Sequence, residues 1–336
     1  MKIKRLFLFS LGCVAILFFL LIQWAGIREI AVAFMSINPL YIPLILFLPF
    51  AMMFVYTLRW NILLESVGIK TSLRTVLKYA FIGAALNNIT PVARFGGEPI
   101  KCYMLSEDIG VKKRRALASI TMDSFITAIS LLVLIYFGAM GLLIFNVLDL
   151  FAVVLILSVI LLPLLIGSYI FYNKGLLSTF VMKISKMISR LSPGYAKNLP
   201  DVVMTFRDNI RTSVKKRNAI LNSLLLGLLE RGIEVLGLYV IFMSMGINLS
   251  FYACTMVLGV GVIFGLIPLL PGGLVVYESS TIIFLGFLGV GPALAASSIM
   301  LWRGLTYWMM TGIGLILMWL RGAKLAFEDV KQFAIK

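Results

Sequence analysis

The chain has 336 residues, of which 61% are hydrophobic and 13% are charged, and its mean hydropathy is +1.04. These values lie far outside the range of soluble domains and indicate a membrane protein, so the net charge of +16 is expected to set topology and to attract anionic lipid rather than nucleic acid. The sequence has no histidine, which excludes imidazole catalysis and His-ligated metal sites.

Two apolar segments come first in the chain. Residues 6–25 follow a basic amino terminus, are about long enough to span a bilayer and have no cleavage site after them. We therefore predict a first transmembrane helix that is retained in the mature protein. Residues 40–58 form the predicted second helix, which ends at Arg59.

The next segment is less apolar and is interrupted. Residues 73–105 break within 87–98, and neither arm is long or apolar enough to cross a membrane convincingly. A re-entrant helical hairpin fits this pattern, because irregular backbone is tolerated at membrane depth where protein or a wet cavity surrounds it. Predicted helices three and four follow at 116–145 and 148–172.

The second half of the chain begins with a polar, basic stretch. Residues 173–218 carry apolar positions at helical spacing and are predicted to form an amphipathic cytoplasmic linker. A fifth helix is predicted at 219–245 and the last at 292–320. Between them, 251–290 form a second hairpin that breaks within 267–278.

The two breaks share one pattern of residues. In each, a carboxylate follows a proline by seven positions, two adjacent glycines lie between them, and another ionisable residue follows 25 positions later. These residues are Pro91, Glu98 and Asp123 in the first copy, and Pro271, Glu278 and Arg303 in the second. Broken, glycine-bearing segments at matching places in two halves of a membrane chain indicate a transport site.

The predicted fold is therefore an all-α integral membrane protein. It forms one domain over residues 1–336, with about six full transmembrane helices and two re-entrant hairpins, eight hydrophobic segments in all. The Lys and Arg distribution places both termini and the linker in the cytoplasm of a multi-pass cell-membrane protein. The first break is then entered from inside and the second from outside, so repeats 40–145 and 219–320 are inverted.

Three charged residues surround the first break. Arg94, Glu98 and Lys101 have spacings that share one helical face, and free N–H groups at a helix start favour an anion. We expect them to bind an anionic or phosphate-bearing lipid head group. In the alternative, Lys101 extends to the cytoplasmic surface and Arg94 pairs with Glu98.

Charged residues also interrupt the later apolar segments. Glu278 has no basic residue nearby in sequence, so we expect it to pair with Arg303, and Asp123 to pair with Arg231. We expect Tyr277, next to Glu278, to take part in gating or coupling transport. The alternative is that these side chains only hold helices together.

Two carboxylates share one face of predicted helix five. Glu230 and Glu234 lie four residues apart, with Arg231 between them, and are compatible with acid–base chemistry or with coupling of transport to protons. No metal-binding DxD motif and no GxxxxGK[ST] motif is present. We therefore expect no catalytic residue, no metal and no cofactor.

At the two breaks the chain resembles a known family. The patterns N-x-x-x-P-x-x-x-x-G-G-E and P-G-G-x-x-x-x-E, followed by a later A-x-x-x-x-x-x-R, are similar to the lysylphosphatidylglycerol synthase transmembrane-region family. The resemblance covers about residues 5–325 and implies a polytopic lipid translocase. It points to Arg94, Glu98, Glu278 and Arg303, and we expect no counterpart here of the family's soluble aminoacyl-transferase domain.

The leading hypothesis is a flippase-like translocase that moves a polar or phosphate-headed lipid between leaflets. One alternative is an integral-membrane transferase that uses a lipid-linked donor and has Glu230 and Glu234 as its acid–base pair. Another is a scaffold, without transport activity, for a partner membrane enzyme. Membrane lipids are the expected partners, and self-association into a homo-oligomer stays open.

Overall fold

The computed structural model describes residues 27–90, 96–144, 169, 173–189, 217–266 and 271–321. All the regular structure in these ranges is helical, and none of it is strand, so the predicted all-α class is confirmed. The described α-helices, numbered in chain order, are α1 Ile27–Met35, α2 Ile42–Ser66, α3 Leu73–Ile89, α4 Gly97–Ile109, α5 Lys113–Ile144, α6 Lys174–Ser189, α7 Arg217–Ser244, α8 Phe251–Gly265, α9 Val276–Phe287, α10 Pro292–Arg303 and α11 Met310–Leu320.

Two of the described helical segments are long and apolar enough to cross a bilayer by themselves. They are Pro39–Ser66, which contains α2, and Lys113–Ile144, which is α5. Helix α7 has 28 residues, or about 42 Å, but carries three charged residues in its middle. The count of six spans stays a prediction, because residues 6–25 and nearly all of 148–172 lie outside the described ranges.

The predicted end of the second helix was wrong. Helix α2 continues eight residues past Leu58 to Ser66, and Arg59 lies inside it with 0% of its surface exposed. Arg59 therefore does not mark a cytoplasmic helix end. The helix continues because acidic side chains of α5 and α7 compensate the guanidinium within the protein interior.

The first break separates two short antiparallel helices. Contacts pair Tyr79 with Asp108, and Asn87 with Glu98, so α3 and α4 run side by side in opposite directions. The Gly97 N–H donates to Asn87 Oδ1 over 2.7 Å, and a Cβ at Gly97 would collide with the backbone of Gly83. With 17 and 13 residues, the two arms measure about 25 and 20 Å, less than the ~30 Å hydrocarbon core.

The second break has a similar arrangement. Helix α8 ends at Gly265, a tight turn occupies Pro271–Gly273, and α9 begins at Val276. Cβ positions built on Gly261 and Gly265 both meet Tyr277 of α9, so α8 and α9 also pack side by side. Gly272, Gly273 and Val275 have φ values of 60°, 69° and 69°, and this left-handed backbone is costly for the β-branched Val275.

The last predicted helix is not regular throughout. Between α10 and α11 the chain forms a π-helical turn at Gly304–Met309, so the single helix expected at 292–320 has an interruption. The hydroxyls of Thr306 and Thr311 donate to the carbonyls of Trp302 and Tyr307, which lie one turn earlier. Such π-turns are frequent at functional sites, and this one directs Tyr307 towards the first break.

Buried apolar side chains form two large clusters. One lies among α2, α3, α4 and α5 and contains Trp60 and Tyr79. The other contains Phe242 and Trp302 and lies among α7, α8, α9 and α10, with contributions from α2 and α5. On the outer surface many large apolar side chains are exposed, including Phe47 and Phe287. An extensive apolar exterior is what a lipid environment requires.

Helix α6 lies within the predicted basic linker. Leu177 and Val181 are buried along one side of it, whereas Lys183 and Lys186 are exposed. This distribution is amphipathic, as the sequence predicted. The remainder of the linker, residues 190–216, lies outside the described ranges, and so does predicted helix one.

Candidate functional site

A cavity of about 420 Å³ lies between the helices and is bounded by α2, α3, α4, α5, α7, α8 and the last helical segment. Part of its wall is apolar and is formed by methionine, alanine, valine and leucine side chains. The other part is polar and includes a group of ionic side chains. The charged lining residues are Arg59, Glu98, Lys101, Asp123, Glu230 and Arg231, three basic and three acidic.

Arg59 is at the centre of the ionic wall. Its Nε lies 2.9 Å from Asp123 Oδ1, its Nη1 lies 2.7 Å from Glu230 Oε2, and its Nη2 donates to Thr127 Oγ1 over 2.8 Å. The guanidinium carbon is 5.1 Å from the centre of the Tyr56 ring. One guanidinium therefore joins α2, α5 and α7 and compensates two buried carboxylates.

Sequence reasoning missed Arg59 as a site residue and assigned Asp123 the wrong partner. Asp123 pairs with Arg59, whereas Arg231 pairs with Glu234 and lies 3.8 Å from Glu230. The physical reason is that Arg231 finds Glu234 three residues later on its own helix. One available signal was that the apolar residues on both sides of Arg59 make it an intramembrane charge.

Lys101 is buried beside the first break. Its Nζ lies 2.8 Å from Glu98 Oε2, donates to the Tyr56 hydroxyl over 3.0 Å and lies 5.0 Å from the centre of the Trp60 ring. Only 2% of Lys101 is exposed, so the alternative in which it reaches the cytoplasmic surface is wrong. It is buried because α4 folds back on α3, where the absence of a side chain at Gly83 leaves room for it.

Glu278 and Arg303 form the ion pair that the sequence predicted. Arg303 Nε donates to Glu278 Oε1 over 2.7 Å, and its guanidinium carbon lies 4.6 Å from the Tyr277 ring centre and 4.3 Å from that of Tyr307. Arg303 Nη2 also donates to the Gly272 carbonyl over 3.3 Å. Tyr277 is thus part of this site, where it stacks on the cation.

A smaller cavity of about 60 Å³ lies beside the large one and reaches Arg303. Arg303, Tyr277 and Glu234 line it, and it shares Asn88 and Thr306, among others, with the 420 Å³ cavity. The ionic groups of the first and second halves of the chain are therefore neighbours. Arg94, which the sequence placed in the binding site, lies outside the described residues.

The two breaks are in direct contact beside these cavities. The Tyr307 hydroxyl donates to the Asn88 carbonyl over 2.8 Å, and Asn88 Nδ2 donates to Thr311 Oγ1 over 2.8 Å. A Cβ at Gly272 would lie 2.8 Å from that same Asn88 carbonyl. The end of α3 and the turn after α8 consequently pack too closely for a side chain at position 272.

The charged cluster is not arranged as a metal site. Within the described ranges no three His, Cys, Asp or Glu side chains are placed to hold one ion together. The carboxylates of Asp123, Glu230 and Glu234 instead contact arginine. What the cavity provides is a set of hydrogen-bond donors and acceptors held in fixed positions, within walls that are otherwise apolar.

Comparison with known proteins identifies the family. Residues 7–314 match the model of the lysylphosphatidylglycerol synthase transmembrane region. The chain belongs to this family. It is similar to UPF0104 membrane proteins of three organisms. One from Methanothermobacter thermautotrophicus is 26% identical, and the match covers 94% of each chain. One from Pyrococcus horikoshii is 25% identical over 94% of this chain and 96% of the relative, and one from Methanocaldococcus jannaschii is 27% identical over 95% of this chain and 96% of the relative. The protein is therefore a helical membrane protein, as its sequence indicates.

Proposed function

We propose that this chain is a translocase that moves a polar-headed lipid between the leaflets of the cell membrane. The observation that supports it most is the 420 Å³ cavity, lined by six charged side chains, in a protein whose exterior is apolar. Its volume falls in the range of small-molecule sites and suits a head group, not a whole lipid. The acyl or isoprenoid chains would stay in the bilayer.

The two breaks supply the moving parts in this proposal. Each hairpin ends beside the cavities, and the two are joined through Tyr307, Asn88 and Gly272. If repeats 40–145 and 219–320 are inverted, rocking of one against the other would open the site to each leaflet in turn. Glu98 and Glu278 would take part in opening, and Asp123, Glu230, Arg231 and Glu234 in coupling.

A lipid-linked transferase is less well supported. Glu230 pairs with Arg59, and Glu234 pairs with Arg231, so both candidate acid–base groups are engaged in ion pairs. A general base needs a lone pair directed at the substrate proton. We therefore do not assign acid–base catalysis to this pair.

The test is leaflet-resolved transport by purified protein in liposomes. Fluorescent lipids are placed in both leaflets, an impermeant quencher is added outside, and lipid that becomes accessible is followed over time. We expect faster exchange than in protein-free liposomes. A set of phospholipids, glycolipids and polyprenyl-phosphate lipids that all exchange at the protein-free rate would refute translocation, and co-purification of an enzyme would then favour the scaffold.

A matched pair of substitutions links transport to the cavity. Lys101→Met removes a buried lining charge, whereas Lys70→Met makes the same change at an exposed residue before α3. We expect Lys101→Met to slow exchange about tenfold or more, since charged hydrogen bonds are worth roughly 1.5–3 kcal/mol each, and Lys70→Met to leave it unchanged. Equal exchange rates in the two variants would show that transport does not depend on this cavity.

A further inference from the structure

The basic groups of the large cavity already have acidic partners. Arg59 contacts Asp123 and Glu230, and Lys101 contacts Glu98, all within 2.9 Å. Arg231 contacts Glu234, which lines the adjoining small cavity. Each positive charge in the described lining is therefore neutralised before any ligand enters.

This pairing makes the site unfavourable for a bare phosphate. A phosphate that enters must approach the carboxylates of Glu98, Asp123 and Glu230, which line the same wall as the bases. Repulsion from these acids offsets attraction to the paired cations, and the anion also loses its hydration. Phosphate sites instead present unpaired arginine, lysine or backbone N–H groups.

The same wall is well suited to hydroxyl groups. Each hydroxyl donates one hydrogen bond and accepts others, and an arginine–carboxylate pair presents donors and acceptors side by side. Arg231 is 6% exposed and lines the cavity, and its Nε has no hydrogen-bond acceptor among the described residues. The amide of Asn87 and the hydroxyl of Thr127 lie on the same lining.

We infer that the 420 Å³ cavity binds an uncharged, hydroxyl-rich head group, a sugar or polyol, in preference to a phosphate or an amine. This inference rests on the proposed function and adds the substrate class. An ammonium group is disfavoured for the converse reason, because each carboxylate of the lining already contacts an arginine or a lysine. The apolar part of the wall would contact the C–H faces of the ring.

The experiment compares three labelled lipids with identical acyl chains in the liposome assay. They are glucosyl-diacylglycerol, phosphatidic acid and phosphatidylethanolamine. We expect the glucosyl lipid to exchange about tenfold faster than either of the others, the worth of roughly one net hydrogen bond. Equal or faster exchange of phosphatidic acid or phosphatidylethanolamine would overturn the inference and leave translocation in place.

If none of the three lipids moves, a binding measurement tests which head group the cavity accepts. Short-chain versions of the same lipids are added to the protein in a detergent without sugar groups, and the unfolding temperature is measured. Stabilisation by the glucosyl lipid alone would support binding of a sugar head group in the cavity, while the lack of exchange would refute translocation. Stabilisation by phosphatidic acid or phosphatidylethanolamine, or by none of the three, would overturn the assignment.

A charge change in the lining provides an independent check. Glu98→Gln keeps the acceptor for the Asn87 amide but leaves Lys101 without its carboxylate. We expect the preference for the glucosyl lipid over phosphatidic acid to fall about tenfold, because a free cation now faces the cavity. Glu65→Gln, the same change at an exposed residue that bonds Asn61, should leave the preference intact. An unchanged preference in a folded Glu98→Gln protein would contradict the charge-pairing argument.

Discussion

At the scale of single residues, buried charge dominates this molecule. Arg59, Lys101, Asp123, Glu230, Arg231 and Glu278 are all buried within a protein that is apolar outside. Each is tolerable only because an opposite charge lies within contact distance. Removing one member of such a pair is consequently far more harmful than removing a surface charge.

Arg59→Met should test this directly. It leaves Asp123 and Glu230 uncompensated, and we expect the free energy of unfolding to fall by about 3–5 kcal/mol. Arg321→Met is the matched control, because its pair with Asp108 is partly exposed and should contribute less than about 1 kcal/mol. Chemical unfolding in detergent measures both, and similar losses would show that Arg59 is not an organising charge.

Substitutions in the Glu278–Arg303 pair can distinguish a role in transport from a purely structural one. We expect Glu278→Leu alone to destabilise the protein by about 3–5 kcal/mol, because Arg303 then lacks its carboxylate. The double change to leucine at both positions should recover stability but not lipid exchange, since neither charge of the pair is left beside the small cavity. A double variant that is both stable and fully active would make the pair a structural link only.

At the scale of elements, glycines permit the close contacts at the hairpins. A Cβ at Gly97 would collide with the Gly83 carbonyl on the facing arm, and a Cβ at Gly314 would collide with the backbone of Phe81. These are backbone-to-backbone approaches, so no side-chain rotation can relieve them. The breaks therefore depend on glycine for packing as well as for turn geometry.

Gly97→Ala should accordingly separate α3 from α4. We expect a loss of about 1–3 kcal/mol in unfolding free energy, the usual cost of overpacking, together with increased labelling of a cysteine placed at Lys101. Gly312→Ala is the control, because a Cβ there meets nothing within 4 Å. It should be neutral or slightly stabilising, and an equal loss in both variants would contradict the close-contact explanation.

At the scale of the whole molecule, the inverted repeat depends on which side of the membrane each connecting region occupies. Helix α7 separates the basic linker from the turn before α8 and measures about 42 Å, enough to cross the ~30 Å hydrocarbon core once. The two regions should then lie on opposite sides of the membrane.

Single cysteines at Lys186 and Asn248, both exposed, test this arrangement. An impermeant maleimide applied to intact cells should label Asn248→Cys, and Lys186→Cys only after the cells are opened. The reason is the excess of Lys and Arg in the linker, which keeps it cytoplasmic. Labelling of both from the same side would rule out the inverted repeat, whereas the native Cys102 and Cys254 are buried and should stay unlabelled.

The sequence by itself determined the features that depend on neighbouring residues and on composition. The all-helical class follows from long apolar segments, and the chain leaves its helices near Pro91 and Pro271 because proline and paired glycines disrupt helices locally. The Glu278–Arg303 pair was also predictable, since a lone carboxylate in apolar sequence must find a cation and Arg303 was the nearest in the following helix.

Only the tertiary structure decided which charges meet across helices. Arg59 and Asp123 are 64 positions apart, and no local pattern relates them, so the sequence alone does not distinguish Arg59 from Arg231 as the partner of Asp123. Asp123 pairs with Arg59 because α2, α5 and α7 turn these side chains towards one another, and that orientation depends on how whole helices pack. The burial of Lys101 has the same origin, because a lysine near a helix break reaches water unless another helix folds over it, as α3 does here.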